Sequence, residues 1–287
     1  DLCESLVDDL VAANEQGDAD LVRHLAYPLP VIVIAELMGV PPERRDDFKR
    51  WSDALVGGLS GSWDVDSSMA SMTEMFTYFA EEVERRRAAT GPGDDLLGLL
   101  VASTEDGDDP LNATEIVLFC ILLLVAGNET TTNLLGNLQQ ALWDHPEAET
   151  ALRADPGLIP SAVEEALRYD APVQGLFRGT LRAAEVGGTE IPEDAFVMVL
   201  FGSANRDEAH YEAAHEFRVE RNPGDHVGFG AGIHLCLGAP LARLESRLAV
   251  ETLLQRTSLV APAGSPEPVD SFILRGFQRM PVTLGAV

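Results

Sequence analysis

The sequence predicts a mainly α-helical fold with a minor β region, and three observations support this class. Apolar residues recur at helical spacing through the first two-thirds of the chain, as at Leu6 and Leu10. No proline occurs between Asn112 and Pro146, so one helix there could be on the order of 45 Å long. After Pro172, short apolar and alternating segments replace the helical spacing. Helices followed by a small strand region are the element order of such a fold.

Proline and glycine divide the helical part into segments. Pro28 and Pro30 interrupt the first helical pattern before an apolar stretch at 31–38. The segments expected after it, in chain order, are helices at 43–55 and 68–87 with a glycine-rich loop at 57–66 between them, then breaks at 91–93 and 105–110.

The long helix begins at a capping pattern. Asn112 and Glu115 are three residues apart, so their side chains could satisfy free backbone donors and stabilise the helix start by ~1 kcal/mol. Ser161 and Glu164 form a second such pattern ahead of a helix at 163–169. The elements expected later in the chain are a hairpin at 185–191 around Gly187-Gly188, a buried strand at 195–201, a helix at 237–254 and short strands within 260–287.

Composition limits the function classes. The chain has 20 Lys+Arg against 47 Asp+Glu, and this formal net charge of -27 disfavours binding to nucleic acid or anionic membranes. The longest apolar run, 116–126, is shorter than the ~20 residues of a membrane span. The three cysteines have no CxxC spacing, which indicates a reducing compartment. No secretory signal is visible, so we expect a cytoplasmic protein, and the lack of an initiator Met leaves open whether the true start is missing.

The most informative stretch surrounds Cys236, in the run Phe229-Gly230-Ala231-Gly232-Ile233-His234-Leu235-Cys236-Leu237-Gly238. Its glycines permit tight turns and the close approach of a flat partner. Cys236 precedes a helix with Pro240 near its first position, and free N–H groups there favour thiolate over thiol. The alternatives are a buried small hydrophobe, which we accept for Cys3 and Cys120, and a zinc site with His234, for which no other close Cys/His pair exists.

This run resembles the FxxGxxxCxG heme-binding loop of the cytochrome P-450 superfamily, most closely its soluble bacterial branch. The resemblance implies heme b (iron protoporphyrin IX) as cofactor, with Cys236 as the iron ligand and Phe229, Gly230 and Gly238 as further cofactor-binding residues. It also implies the cytochrome P-450 fold, N-terminally incomplete. Residues 1–287 would then form a single heme-thiolate monooxygenase domain, the C-terminal larger part of that fold.

A second motif interrupts the apolar run of the long helix. Gly127 costs ~1 kcal/mol relative to Ala inside a helix, and local penalties of this kind are expected at functional sites. A threonine hydroxyl can also bond to a carbonyl one turn back and widen the groove. The segment Ala126-Gly127-Asn128-Glu129-Thr130 resembles the (A/G)Gx(D/E)T oxygen-activation motif of the family. The resemblance implies that Thr130 holds oxygen and a water, and that Glu129 relays protons.

Further residues receive roles from the same resemblance. Glu165 and Arg168 match the ExxR ion pair of the family, whose role is structural. A third residue usually completes this network, but Glu216 occupies its position here, so the identity of the third partner is left open. Arg178 and His226 match residues that bind heme propionates. The apolar residues expected to line a pocket for a small lipophilic substrate are Leu123, Ala126, Val173, Leu176, Phe177, Ile273 and Leu274.

The resemblance also implies an oxidoreductase that hydroxylates its substrate with O2 and two electrons. No GxGxxG pattern for a flavin or nicotinamide is present, so the electrons would come from a ferredoxin and a ferredoxin reductase. Two alternatives remain within heme chemistry: a peroxide-driven heme-thiolate enzyme, whose branch usually lacks the acid–alcohol pair, and a non-catalytic heme-binding remnant. A helical scaffold without cofactor is the third.

Overall fold

The structure, a computed structural model, describes residues 1–57, 65–89, 91, 93–103 and 111–286. Most of the predicted glycine-rich loop at 57–66 lies outside the described residues, as do the whole acidic turn at 105–110 and Pro92.

The described elements confirm a mainly helical fold with small sheets. The helices are α1 (Leu2–Glu15), α2 (Pro28–Leu37), α3 (Arg45–Gly57), α4 (Val65–Arg87), α5 (Leu96–Ser103), α6 (Ala113–Asp144), α7 (Pro146–Ala154), α8 (Ile159–Tyr169), α9 (Phe201–Ala204) and α10 (Ala239–Arg256). The strands are β1 (Leu176–Gly179), β2 (Ala184–Val186), β3 (Thr189–Ile191), β4 (Phe196–Val199), β5 (Leu259–Pro262), β6 (Glu267–Pro268), β7 (Phe277–Arg279) and β8 (Val282–Gly285). Short π and 3-10 turns occur at Val22–Ala26, Pro42–Arg44, Pro156–Leu158 and Gly232–His234.

Helix α6 is the long helix that the sequence predicts. Its 32 residues correspond to about 48 Å. The predicted capping box is present, because the Asn112 N–H donates to Glu115 Oε2 at 2.8 Å and the Glu115 N–H donates to Asn112 Oδ1 at 3.1 Å. These two bonds satisfy backbone donors that the helix itself leaves free.

The chain divides into two compact units, Asp1–Thr132 and Asn133–Val287, and the division falls inside α6. A single domain over 1–287 stays a prediction. In the first unit, α3 and α4 pack through a buried aromatic cluster. Phe48, Trp51 and Phe79 lie with ring centroids 6.4–6.5 Å apart in edge and tilted contacts, which add specificity to the apolar burial.

The second unit combines α8 and α10, which pack together, with four two-stranded antiparallel sheets. The sheets pair β1 with β4, β2 with β3, β5 with β8, and β6 with β7. The predicted hairpin is β2–β3, and its turn needs glycine because Gly187 and Gly188 have φ of 58° and 79°. The predicted short strands of the tail are β5 to β8.

Two expectations about the second unit are wrong. The strand predicted as buried at 195–201 is β4, which ends at Val199 and is largely exposed, with Phe196 at 83%. The pair Ser161 and Glu164 is not a capping box, because α8 already begins at Ile159. A 3-10 turn opened by Asp155, whose carboxylate accepts from the Gly157 N–H, and a proline in the first turn of α8 start the helix earlier.

Among the described residues, α6 is the helix that is long and apolar enough to cross a membrane by length and composition. Two of its polar side chains are nevertheless buried and hydrogen-bonded to other elements of the first unit. Asn128 donates to Ser52 Oγ at 2.5 Å, and Thr132 donates to the Ala26 carbonyl at 3.1 Å. These contacts are those of a core helix in a globular protein.

Candidate active site

The cysteine loop, residues 229–238, is closed by backbone hydrogen bonds. The Cys236 N–H donates to the Phe229 carbonyl at 2.9 Å, and the Leu235 N–H donates to the Gly232 carbonyl at 3.1 Å. Gly230 and Gly232 have φ of 72° and 66°, where a side chain would be strained. The glycines of the motif therefore set the path by which the chain reaches Cys236.

Helix α10 begins directly after this loop, with Gly238 as its N-cap and proline in its first turn. Cys236 therefore lies beside the first backbone N–H groups of α10, which have no partner within the helix. A Cβ atom at Gly238 would lie 3.9 Å from the sulfur, an ordinary contact, so crowding against the thiol does not explain why glycine occupies this position.

The donor set around Cys236 fits heme b. Cys236 is exposed, which excludes the reading of this residue as a buried hydrophobe, whereas Cys120 is buried and burial raises the pKa of its thiol to about 12. Ile233, Leu235 and Leu237 expose large apolar side chains in the same loop, Ile233 at 98%. An exposed soft sulfur surrounded by apolar surface suits a flat, apolar, iron-bearing ligand.

Arg178 and His226, the two predicted propionate ligands, differ in their availability. Arg178 is exposed on β1, and Nη1 donates to the Phe177 carbonyl at 2.8 Å. His226 is buried, with its Nε2 3.1 Å from Glu164 Oε2, and its Nδ1 accepts from the Gly228 N–H at 3.1 Å. Both ring nitrogens of His226 are thus used inside the protein, so propionate binding by His226 stays a prediction that requires the ring to leave Glu164.

His234 is a candidate for the propionate role that sequence reasoning missed. Its side chain is exposed in the 3-10 turn of the cysteine loop, two residues before Cys236. Among the described residues its imidazole makes no hydrogen bond to another group. Its position in the same loop as the thiol was the signal available in the sequence.

The ExxR pair is a fully buried ion pair at the start of a larger network. Arg168 donates from Nε and Nη2 to the two carboxylate oxygens of Glu165 at 2.8 Å each, and both side chains are 0% exposed. The remaining Arg168 donors reach the main-chain carbonyls of Asn205, Ala214 and Glu216.

Arg221 is the third partner of the Glu165–Arg168 pair, which the sequence alone did not identify. Its Nε donates to Glu165 Oε1 at 3.1 Å, so Glu165 lies between two guanidinium groups. Glu216 contributes its main-chain carbonyl, while its side chain pairs with Arg218 at the surface. Sequence reasoning missed Arg221 because nothing in its neighbourhood distinguishes it from other surface arginines.

The acid–alcohol motif lies on an uninterrupted stretch of α6. The Thr130 hydroxyl donates to the Ala126 carbonyl at 2.7 Å, the bond one turn back that the sequence suggests. Glu129, the next residue toward the N-terminus, is 9% exposed. A Cβ atom at Gly127 would meet Ile34 at 3.8 Å, an ordinary contact, so crowding does not explain why glycine occupies this position.

The predicted pocket residues fall into two groups. Leu123 and Ala126 lie on α6 in the first unit, Leu123 partly buried and Ala126 exposed. The second unit brings the other five together through an antiparallel bridge between Val173 and Leu274 and a bond from the Gln174 N–H to the Ile273 carbonyl at 2.8 Å. Leu176 and Phe177 follow on β1, and the Phe177 ring lies 6.3 Å from that of Phe272. Substrate contact by either group stays a prediction.

Comparison with known proteins identifies the family. The family model described as cytochrome P450 matches residues 157–283. The chain is 43% identical to cytochrome P450 107B1 of Saccharopolyspora erythraea over 99% of its own length and 69% of that protein. It is 42% identical to the vitamin D(3) 25-hydroxylase of Pseudonocardia autotrophica, again over 69% of that protein.

Solved structures agree with these relatives. A cytochrome P450 from Chondromyces apiculatus superposes with a TM-score of 0.89 at 38% identity, covering 100% of this chain and 71% of that one. A Bacillus megaterium enzyme in complex with testosterone gives 0.87 at 37% identity, covering 97% of this chain and 76% of that one.

The chain spans about two thirds of the length of the relatives it matches, 69% of the Saccharopolyspora protein and 64% of a putative cytochrome P450 of Bacillus subtilis. Identity at this level over this share of a relative is sufficient to assign the family. The chain belongs to the cytochrome P450 family and is an oxidoreductase of that type, with heme b as its cofactor.

Proposed function

We propose that the protein is a heme-dependent monooxygenase that hydroxylates a small lipophilic substrate with O2 and two electrons from a redox partner. The observation that carries this proposal is the exposed thiol of Cys236 at the start of α10, in a glycine-turned loop with an apolar surface. When bound, heme b supplies the binding and activation of O2. The protein residues hold this cofactor, orient the substrate and move protons.

Cys236 is the proposed iron ligand, since its sulfur is accessible and lies at a helix N-terminus. Phe229, Gly230 and Gly238 fix the loop that presents it. Arg178 and His234 expose cationic or hydrogen-bonding side chains that suit carboxylates, so we assign them to the propionates in preference to the engaged His226.

Thr130 and Glu129 are the proposed groups for proton delivery. The Thr130 hydroxyl uses its only proton in the bond to the Ala126 carbonyl, which leaves its oxygen free to accept from a water molecule. Glu129 adds a carboxylate at the adjacent helix position. A water held by Thr130 and supplied with protons through Glu129 would give a defined proton path, as general acid catalysis requires.

The names of relatives support a lipophilic substrate. They include a vitamin D(3) hydroxylase, a steroid C26-monooxygenase and a 6-deoxyerythronolide B hydroxylase, and one similar structure contains testosterone. The apolar residues proposed to contact the substrate fit this class: Leu123, Ala126, Val173, Leu176, Phe177, Ile273 and Leu274.

A ferredoxin and its reductase are the proposed electron donors, and the cytoplasm is the proposed location. The named relatives are bacterial P450 proteins, and the sequence has no GxGxxG pattern with which to bind its own flavin or nicotinamide. Three cysteines without a paired spacing fit a reducing compartment.

Turnover with two oxidant systems tests this function. Heme-loaded protein is assayed with a panel of vitamin D3, testosterone and 6-deoxyerythronolide B, once with O2, ferredoxin and ferredoxin reductase, and once with hydrogen peroxide alone. A hydroxylated product in the first system supports the proposal. A product that forms in the peroxide system and not in the ferredoxin system would identify a peroxide-driven enzyme. No product in either system would favour a non-catalytic heme-binding protein.

Thr130→Ala tests the proton path within this mechanism. We expect a several-fold lower ratio of product formed to O2 consumed, because the water that Thr130 holds would lose its acceptor. Thr130→Ser keeps the hydroxyl and is the matched control, with a ratio near that of the unsubstituted protein. An unchanged ratio in Thr130→Ala would remove Thr130 from the mechanism.

A further inference from the structure

We propose that Glu164, His226 and Arg243 form a charge-balanced clamp that positions the cysteine loop and sets the electrostatic potential at Cys236. This set, called the Glu164 clamp below, lies entirely within the second compact unit. The inference rests on the proposed function, because it takes Cys236 as the heme ligand. All three members are positioning residues, since they act on the sulfur through the loop.

The Glu164 carboxylate is the centre of the clamp. Arg243 donates to it from two nitrogens, Nε to Oε1 at 2.6 Å and Nη2 to Oε2 at 2.8 Å. The His226 Nε2 lies 3.1 Å from Oε2. A planar guanidinium that meets both oxygens fixes the carboxylate more firmly than a single contact, and ion pairs of this shape also fix geometry.

The clamp reaches the thiol through Phe229. The Arg243 guanidinium lies 4.7 Å from the centroid of the Phe229 ring, and the His226 ring centroid lies 5.9 Å from it. The main-chain carbonyl of Phe229 accepts the hydrogen bond from the Cys236 N–H at 2.9 Å. Two clamp members therefore hold the ring of the residue whose carbonyl holds the cysteine.

The histidine has a defined tautomer. Because the Gly228 N–H donates to Nδ1, that nitrogen carries no proton, and Nε2–H is the donor to Glu164. Gly228 is required here, since a Cβ atom would lie 2.8 Å from the Leu167 carbonyl oxygen. The ring in this arrangement is neutral.

The charges of the clamp therefore cancel. Burial would raise the pKa of Glu164, but the hydrogen bonds from Arg243 and His226 outweigh burial and lower the pKa to about 2, so Glu164 is anionic. The hydrogen bond that Arg243 donates to Glu164 is the main cause that raises the pKa of Arg243, and charge on Cys236 adds to it. The Arg243 cation lies against the ring of Phe229, the residue whose carbonyl accepts from the Cys236 N–H, and Glu164 neutralises that cation.

Removal of either charge should change the reduction potential of the bound heme, in opposite directions. In this measurement ferric heme takes up one electron from dithionite and becomes ferrous heme. Glu164→Gln leaves the Arg243 cation unbalanced near the sulfur, which favours the added electron and shifts the potential to more positive values. Arg243→Gln leaves the Glu164 anion unbalanced and shifts the potential to more negative values.

The experiment measures the potentials of the heme-loaded protein, both single variants and the double variant Glu164→Gln/Arg243→Gln. The double variant is expected to return toward the unsubstituted value. Glu267→Gln is the matched control, because its partner Arg279 forms an exposed pair in the β6–β7 hairpin, and no shift is expected there. Shifts of the same sign in both single variants, or no shift in either, would overturn the inference.

Loss of heme in the variants is also decisive. If both single variants lose heme and the double variant retains it, the balance of charge is what the loop requires, which supports the clamp. If all three lose heme while Arg243→Lys also fails to retain it, the contacts are purely structural and the electrostatic role is overturned. The spectrum of the unsubstituted ferrous protein with carbon monoxide separates this result from the proposed function. If that spectrum shows a thiolate ligand while the variants fail as described, the clamp is overturned and the proposed function stands.

Discussion

Two adjacent carboxylates on α8 have different partners. Glu164 faces Arg243 and His226, whereas Glu165 is enclosed by Arg168 and Arg221. Consecutive residues of a helix point about 100° apart, so one turn of α8 can serve both the cysteine loop and the buried ion-pair network. The helix thereby connects the Glu164 clamp with the buried pair of Glu165 and Arg168.

Glu165→Gln should destabilise the protein strongly. It leaves the Arg168 cation buried without its carboxylate, and loss of one partner of a buried pair costs roughly 3–5 kcal/mol. Urea denaturation gives the free energy of unfolding. The control, Glu267→Gln, breaks an exposed pair and should cost about 1 kcal/mol or less. A cost of similar size in both variants would contradict the assigned importance of burial.

Glu245 on α10 predicts a pH-dependent stability. Burial raises the pKa of this carboxyl to about 7 from 4.5, so the folded state favours the neutral form. The contribution of Glu245 to the free energy of unfolding is therefore fully present below pH 4.5 and is lost as the pH rises through 7. The unfolded chain releases this proton at a lower pH than the folded protein does.

Glu245→Gln should remove this loss. At pH 8 the variant is expected to be more stable than the unsubstituted protein by up to roughly 3 kcal/mol, with no difference below about pH 4.5. Thermal unfolding at the two pH values measures it. Glu251→Gln, a partly exposed carboxyl on the same helix, is the control, and an equal gain there would contradict the role of burial.

Residues whose role depends on local sequence were predictable, and those that act through distant contacts were not. The exposed Cys236 and the Thr130 bond to Ala126 follow from a loop motif and from helix geometry. Arg221 reaches Glu165 across 56 positions, and His226 reaches Glu164 across 62. No periodicity in a single sequence encodes such separations.

At the scale of elements, the two capping patterns show where local rules hold. The box at Asn112 forms because no other signal competes for the start of α6. The box at Ser161 does not form because the turn at Pro156–Leu158 and a proline at the start of α8 nucleate the helix earlier. Propensity rules decide helix ends only when neighbouring elements leave them free.

Asn112→Ala should weaken α6 at its first turn. Loss of the side-chain oxygen leaves the Glu115 N–H without a partner, at a cost of ~1 kcal/mol. The midpoint of urea unfolding is expected to decrease. Asn112→Asp keeps an acceptor in the same place and should remain near the unsubstituted value. An equal loss in both variants would show that the capping bond is not the cause.

The exposure of β4 has a similar explanation at the element scale. Its run of apolar residues predicts a buried strand, but among the described strands it pairs with the short β1 alone, and Phe196 and Val199 remain exposed. A strand is buried only when another layer covers it, and the hydrophobic pattern does not say whether the layer is present.

At the scale of the whole molecule, the class of fold was predictable from the sequence because long helical periodicity and one ten-residue loop are strong signals. The family comparisons confirm that class and the family. Substrate identity is not encoded in the same way. The lipophilic substrate proposed above rests on the apolar side chains Val173, Leu176, Phe177, Ile273 and Leu274, and their residue types carry no information on its shape.

We propose that the sulfur of Cys236 ligates the heme iron, and the carbon monoxide complex of the ferrous protein reports this bond. The absorption spectrum of the heme-loaded, dithionite-reduced protein with carbon monoxide should show a strongly red-shifted Soret band, the signature of a thiolate ligand. Cys236→Ala should abolish the band, while Cys3→Ala should retain it. A fully loaded protein without this band, or its persistence in Cys236→Ala, would contradict the account.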